Sequence, residues 1–594
     1  MRSLLIALPI LLLAALFASR WQSESGSAAP GDTERVSVDS NGNEGTGGDS
    51  ENPAISGDGR YVFFGSDAVD LVGGDGNGTS DLFVHDRQTG DTDILSDGFA
   101  GDDADGGSYN PATTPEGRYV AFESNATNLV PGDTMGFGDI FVHDRQSGDT
   151  ERVSVDSMGN EADADSDTPS ISADGRYVAF SSLATNLVTN DDNEQRDIFV
   201  HDRQTDVTER VNVSTAGDQA EERDSFGVNI SADGRYVAFD SAAPNLVQGD
   251  GNDATDVFLR DRVMNTTTLI SVNTNGDEGD ASSFAPALDS SGRYVAFTSQ
   301  AADLVADDNN GATDIFLRDL QTGATERVNV DSMGNETLAG FNSFNHAISG
   351  DGRFVLFDTG SPNLVAGDGN GVRDAFVHDR ESGVTQLISR NSDGVQGSGN
   401  SFGSDNPGTL SADGRYATFT SDAIDLVPSD SNNDRDVFVH DLGEPQTPTP
   451  TPSPTASPSA GPSDTVTPSP ATPTGSASPT DEPSPSDTPG PGTETTWGNA
   501  NCSGPGGMDP ADPVDSLLTL RADAGLDANT GDCPELGTEV DVLNASLHLW
   551  GDVDCSGALN PVDSLNVLRF DAGLSVAQGE DCPAMGAQVT IVEG

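Results

Sequence analysis

The residues with the most definite chemistry lie near the C-terminus. Asp552, Asp554, Ser556, Asn560 and Asp563 occupy positions 1, 3, 5, 9 and 12 of a loop, with Gly557 at position 6. Calcium asks for oxygen donors at that spacing around a glycine bend. An earlier copy opens with Asn499, Asn501 and Ser503 and reaches its last donor, Asp515, after about five extra residues. Each loop runs into an apolar-patterned segment, and the second predicts a helix over 564–572, with Leu565 and Leu568 set against Asn566 and Arg569. A metal-independent, disulfide-held pair of helices is the alternative for the second loop.

A second set of oxygen donors recurs through the chain. Asp75, Asn77 and Asp81 follow the pattern Asp-x-Asn-x-x-x-Asp, which returns at Asp250, Asp308, Asp368 and Asp430. Alternating donors in a glycine-containing loop suit calcium. Asp and Asn also close turns on their own backbone without metal, and the last Asp can cap the strand that follows. The copy from Asp133 to Asp139 lacks the asparagine. Both readings stay open.

These loops belong to a larger repeat. The glycine of a Gly-Arg-[Tyr/Phe] element falls at Gly59, Gly117, Gly175, Gly234, Gly292, Gly352 and Gly414, and a Thr-Glu-Arg-Val-like element recurs near Thr33, Thr92, Thr150, Thr208, Thr267, Thr325 and Thr385. A period near 60 residues suits a four-stranded blade with one long loop. The first Thr-Glu-Arg-Val precedes the first Gly-Arg-Tyr, and none follows Asp441. That phase predicts a mainly β fold, a seven-bladed propeller over 31–441, in which residues 33–38 complete the last blade and no sheet edge is left open. Alternation in Tyr61-Val62-Phe63-Phe64 puts apolar groups on both faces, as a blade sandwiched between neighbours requires.

The histidines follow the period as well. His85, His143, His201, His378 and His440 precede an aspartate at the end of the third strand, and Arg260 and Arg318 replace them in two repeats. A position shared by His and Arg reads as structural hydrogen bonding or ion pairing. His346 breaks the pattern on an inner strand, where it either faces the channel or has drifted at a permissive position. No serine triad, zinc cluster or phosphate loop stands out.

The ends of the chain differ in kind. An apolar run over 4–18 after Arg2 predicts a secretory signal within residues 1–29, cleaved near Ala18 or Ala29, with an uncleaved anchor as the alternative. No integral membrane span is expected after processing. Residues 442–496 are rich in Pro, Ser and Thr and too poor in apolar side chains to form a core, so they read as a disordered linker to a module over 497–594. A net charge of −71, with no lysine, excludes nucleic acid and anionic membrane as partners. All four cysteines, Cys502, Cys533, Cys555 and Cys582, lie in the last module; their duplicated placement favours one disulfide within each loop repeat, with cross-repeat pairing open.

Two resemblances follow from these residues. The Asp-Gly-Arg cassette of 31–441 resembles the repeats of TolB-like propellers, which implies a rigid disc used for binding. The two loop-and-helix copies, each continuing through Leu-Arg to Ala-Gly-Leu, resemble a type I dockerin. That resemblance implies Ca2+ at Asp552, Asp554, Ser556, Asn560 and Asp563, and at Asn499, Asn501, Ser503 and Asp515, and a cohesin-like partner or cell-surface receptor. The resulting expectation is a secreted, noncatalytic binding or scaffold protein, with a glycan or peptide ligand on the disc. The alternative is a carbohydrate-active protein, a hydrolase, lyase or glycan binder in polysaccharide degradation, against which stands the lack of two carboxylates that escape the period. A peptidase-linked role is a third reading.

Overall fold

The computed structural model describes residues 31–443 except 222 and 405–407, together with the backbone of four short strands beyond them. The first unit is a seven-bladed propeller, each blade an antiparallel four-stranded sheet. In the first blade the strands are Ser50–Ile55, Tyr61–Ser66, Asp81–Asp86 and Asp91–Ile94, running in order from the channel outward. The seventh blade takes its outer strand, Thr33–Arg35, from the start of the propeller, pairing Thr33 with His440 and Arg35 with Phe438. The closure expected from the phase of the repeat is therefore present.

The blades hold together through their second and third strands. Val62, Phe63 and Phe64 are wholly buried, because one face of the strand meets the preceding blade and the other the following one. Each blade stacks one phenylalanine of its second strand on one of its third, as in Phe122–Phe141, with ring centroids 5.8 Å apart. Such a pair adds roughly 0.5–1.5 kcal/mol to the area it buries.

Glycine and tyrosine join neighbouring blades. Gly59 turns at φ +73°, and a Cβ there would lie 2.1 Å from the Tyr416 ring of the blade before it. Only glycine meets both demands. The tyrosine is also flanked by arginines: Arg60 and Arg145 lie over the Tyr61 ring at 4.7 and 4.0 Å, and Arg60 pairs with Asp86. The histidine positions are structural, as the His/Arg exchange implies. His85 Nδ1 meets Thr92 Oγ1 at 2.8 Å, and Arg318 Nη1 donates to Thr325 Oγ1 at 2.9 Å in the same register.

A second unit contains strands Thr493–Thr496, Glu539–Val542, Leu547–Leu549 and Gln588–Glu593, joined in one antiparallel sheet. The expected α-helix over 564–572, both C-terminal calcium loops, the signal region and nearly all of the linker lie outside the described residues. So do the four cysteines, and the described residues contain no disulfide, so disulfide bonding is withdrawn as a property of this structure.

Candidate functional site at the channel mouth

The two ends of the channel differ. At one end the hairpin turns of neighbouring blades bond to each other around the axis. Ala173 N donates to Ala232 O, Ala232 N to Ser290 O, Ser290 N to Gly350 O, Asp351 N to Ala412 O, Ala412 N to Gly57 O and Gly57 N to Pro115 O. One junction lacks this bond, because Pro115 has no N–H to offer the third blade. Small and aliphatic side chains such as Ala112, Ile171, Ile230 and Leu288 line a cavity of about 140 Å³ there. Its polar lining includes Asn229, Ser170 and Asp289.

The other end is built from bulges. Each of the first six inner strands slips register by one residue near its start, as between Asp167 and Ser170. The slip puts Asn52, Asn110, Thr168, Gly227, Ala285 and Asn345 at φ between +49° and +60°. For Thr168, which is β-branched, that conformation is strained by about 1–3 kcal/mol. The residues just before the six bulges are Glu51, Tyr109, Asp167, Phe226, Phe284 and Phe344, and Phe402 holds the matching position in the seventh blade, which gives a ring of seven at the mouth. Four phenylalanines in succession form one arc and the two acids lie on the other, so the ring is not symmetric.

Facing this ring, the second strands carry Gly65, Glu123, Ser181, Asp240, Thr298, Asp358 and Thr420. Three are acids, each bonded by the backbone of the next blade: Thr168 N–H donates to Glu123, Ala285 N to Asp240 at 3.0 Å and Gly403 N to Asp358 at 3.1 Å. Asp358 is wholly buried and also bound by Arg373 at 2.6 Å and Asn345 at 2.6 Å. Glu123 is only half-buried, lacks a neighbouring arginine on its own blade, and accepts from Asn110 Nδ2 at 3.0 Å. Burial, with the charge of Asp167 added, pushes its carboxyl above the usual glutamate range. Asp167 pairs with Arg196, which lies 5.6 Å over the Phe226 ring. Arg373 and Arg435 lie over Phe344 and Phe402 at 5.1 and 4.9 Å.

These residues correct the sequence reading. Glu123 and Asp167 are acids outside the repeating Asp pattern, which removes the objection to catalysis. Neither belongs to the motifs that recur in every repeat: the Glu123 position holds Gly65, Ser181, Thr298 and Thr420 in four copies and Asp240 and Asp358 in two. His346 does not reach the mouth: it is buried, with Nδ1 3.2 Å from Thr298 Oγ1 and Nε2 without a partner.

The Asp-x-Asn loops lie toward the rim on the same face. Asp81 caps the third strand, accepting from Ser96 Oγ at 2.8 Å and from Asn77 Nδ2 at 2.8 Å, while Asn77 Oδ1 accepts from Thr79 N. Asp75 Oδ1 is buried without a partner. Among the described residues two carboxylate trios bring their oxygens within 4.8 Å of each other, Asp133–Asp139–Glu161 and Asp250–Asp256–Glu278, a geometry that can coordinate a metal ion. With the acids at the mouth, these clusters overturn the expectation of a noncatalytic scaffold and of a chain that is not an enzyme. No helix among the described residues is long and apolar enough to cross a membrane.

No protein-family model and no curated protein matches the chain. Among solved structures, TolB from Acinetobacter baumannii aligns at 13% identity and a TM-score of 0.32 over 57% of this chain. The alignment spans 62% of that protein, less than two thirds of its length. Oligogalacturonate lyase from Vibrio parahaemolyticus aligns at 12% identity and a TM-score of 0.41, over 70% of this chain and 99% of that one. The Pyrococcus horikoshii acylaminoacyl peptidase aligns at 10% and 0.38, over 63% and 49%. Likenesses of this strength carry no functional argument, and the propeller rests on the strand pairing of this chain itself.

Proposed function

We propose that this chain is a carbohydrate-active protein that binds a polysaccharide strand across the bulged mouth of the channel and cleaves it by acid–base chemistry. One observation carries the reading: a half-buried Glu123 with a raised pKa beside the charged pair Asp167–Arg196, next to an arc of four phenylalanines. Phenyl faces stack on the apolar C–H faces of sugar rings, and the flanking arginines and acids bond hydroxyl or carboxylate substituents. A carboxyl whose pKa burial raises can donate to the leaving oxygen, and a second carboxylate takes a proton or supports the positive charge that develops. Glu123 fills the first role and Asp167 the second, with Arg196 paired to Asp167.

On this reading the segment after 443 is an appendage. The loops at Asp552–Asp563 and Asn499–Asp515 hold Ca2+ and tether the propeller to a cohesin-like partner, and the apolar run over 4–18 sends the protein out of the cell. The test is binding of oligosaccharides, neutral and uronate-containing, by calorimetry. Saturable binding that weakens at least tenfold in Phe226→Ala and Phe344→Ala supports the mouth as the site. Binding unaffected by both, or absent throughout the set, overturns it.

A further inference from the structure

The seven blades share one buried cage near the rim. It lies where the loop after the second strand, the start of the third strand, the outer strand and the following turn meet, and its contents vary by blade. In four blades an arginine of the outer strand fills it. Arg152 Nη1 lies 3.3 Å from Asp133, 3.3 Å from Asp139 and 3.1 Å from Glu161. Arg327 meets Asp308, Asp314 and Glu336 at 3.2, 3.3 and 3.0 Å. Arg210 and Arg35 do the same in their blades.

The other three blades have Ile94, Leu269 and Leu387 at that position. In the sixth blade Gln396 replaces the acid, and its Nε2 donates to Asp368 and to Asp374, at 2.8 Å each. In the first blade the matching acid, Asp103, is exposed, and both oxygens of Asp81 are bonded. The fourth blade has neither device. Asp250, Asp256 and Glu278 converge there with no arginine and no glutamine between them.

Asp256 is wholly buried, and its Oδ2 has no hydrogen-bond partner. Asn252, like Asn77 and Asn370, gives its amide to the carbonyl of the following turn, Gly279 O at 3.0 Å, and its side chain also lies against Asp256. One buried and two half-buried carboxylates without a counter-charge repel one another, and their desolvation is costly. We propose that Asp250, Asp256 and Glu278 bind a hard divalent cation, calcium, in the place the arginine occupies in four other blades. The donors are all oxygen, and an irregular cage suits calcium's flexible coordination better than the strict octahedron of magnesium. This site stands apart from the proposed activity.

The test is calcium bound per chain, by equilibrium dialysis of full-length, chelator-stripped protein, comparing wild type with Leu269→Arg and Glu278→Gln. Leu269→Arg recreates the arginine cage, and Glu278→Gln recreates the Gln396 arrangement. The expected result is one calcium fewer in each variant, while any calcium held elsewhere in the chain is unchanged and cancels. Leu269→Arg also melts higher than wild type in chelator and loses the rise that calcium gives wild type. Equal calcium content in wild type and both variants overturns the proposal. If one variant fails to fold, the other decides it alone.

Discussion

Replacing Arg152 with leucine gives the second blade the cage composition of the fourth, and its cost can be worked out. Arg152 is the only cation among three carboxylates at 3.1–3.3 Å, and its side chain is 10% exposed against 1% for Asp139. Removing one partner of such a buried set costs about 3–5 kcal/mol, and burying the leucine returns about 1–2 kcal/mol. The net loss is about 2–3 kcal/mol. Unfolding entropy scales with chain length, so a propeller of this size loses roughly 1 °C per kcal/mol, and the variant should melt about 2–4 °C lower in calorimetry with chelator present. Adding Glu161→Gln to Arg152→Leu copies the Leu387–Gln396 pair of the sixth blade. The amide then bonds both aspartates, so the double variant should regain most of the loss, a favourable coupling of about 1–2 kcal/mol. A single variant as stable as wild type, or a second substitution that deepens the loss, would refute the reasoning.

Three further outcomes follow from the fold. Phe239→Ala removes one ring of the stacked Phe239–Phe258 pair at a wholly buried site, and should cost about 3–5 kcal/mol in urea unfolding. Deleting residues 31–38 removes the outer strand of the seventh blade and exposes its third strand as an edge; light scattering should show self-association where the full propeller stays monomeric. Burial holds His346 down to about 4, against an ordinary 6.5, so the unfolded chain takes up a proton that the folded chain refuses. Its contribution is complete above pH 6.5 and is lost as pH falls to 4. His346→Val should therefore reduce the acid sensitivity of stability across that window by up to about 3 kcal/mol, and an unchanged slope would count against a buried neutral histidine.

The architecture was legible in the sequence because a propeller is a period, and periods are linear. The spacing of Gly59 and its six counterparts, and the displaced Thr33–Val36, are enough to count the blades and close the ring. The exchange of His85 with Arg260 and Arg318 likewise marked a structural position, since both bond a threonine on the adjacent strand. The site was less legible because it consists of departures from the period. Glu123 and Asp167 lie 44 residues apart in sequence, on different blades, and are linked through the bulge at Thr168, whose N–H bonds Glu123. The leucine at 269 was visible in the sequence. Its meaning was not, since Arg152 shows only in three dimensions that this position fills an acid cage.

The most direct test of the account is cleavage. Purified protein is incubated with neutral and uronate-containing polysaccharides, and new reducing ends and the ultraviolet absorbance of unsaturated products are followed for wild type and Glu123→Gln. The account predicts new chain ends from at least one polymer with wild type, and a loss of at least a hundredfold in rate with Glu123→Gln while oligosaccharide binding persists. No new ends from any polymer, or cleavage that Glu123→Gln leaves intact, would contradict it.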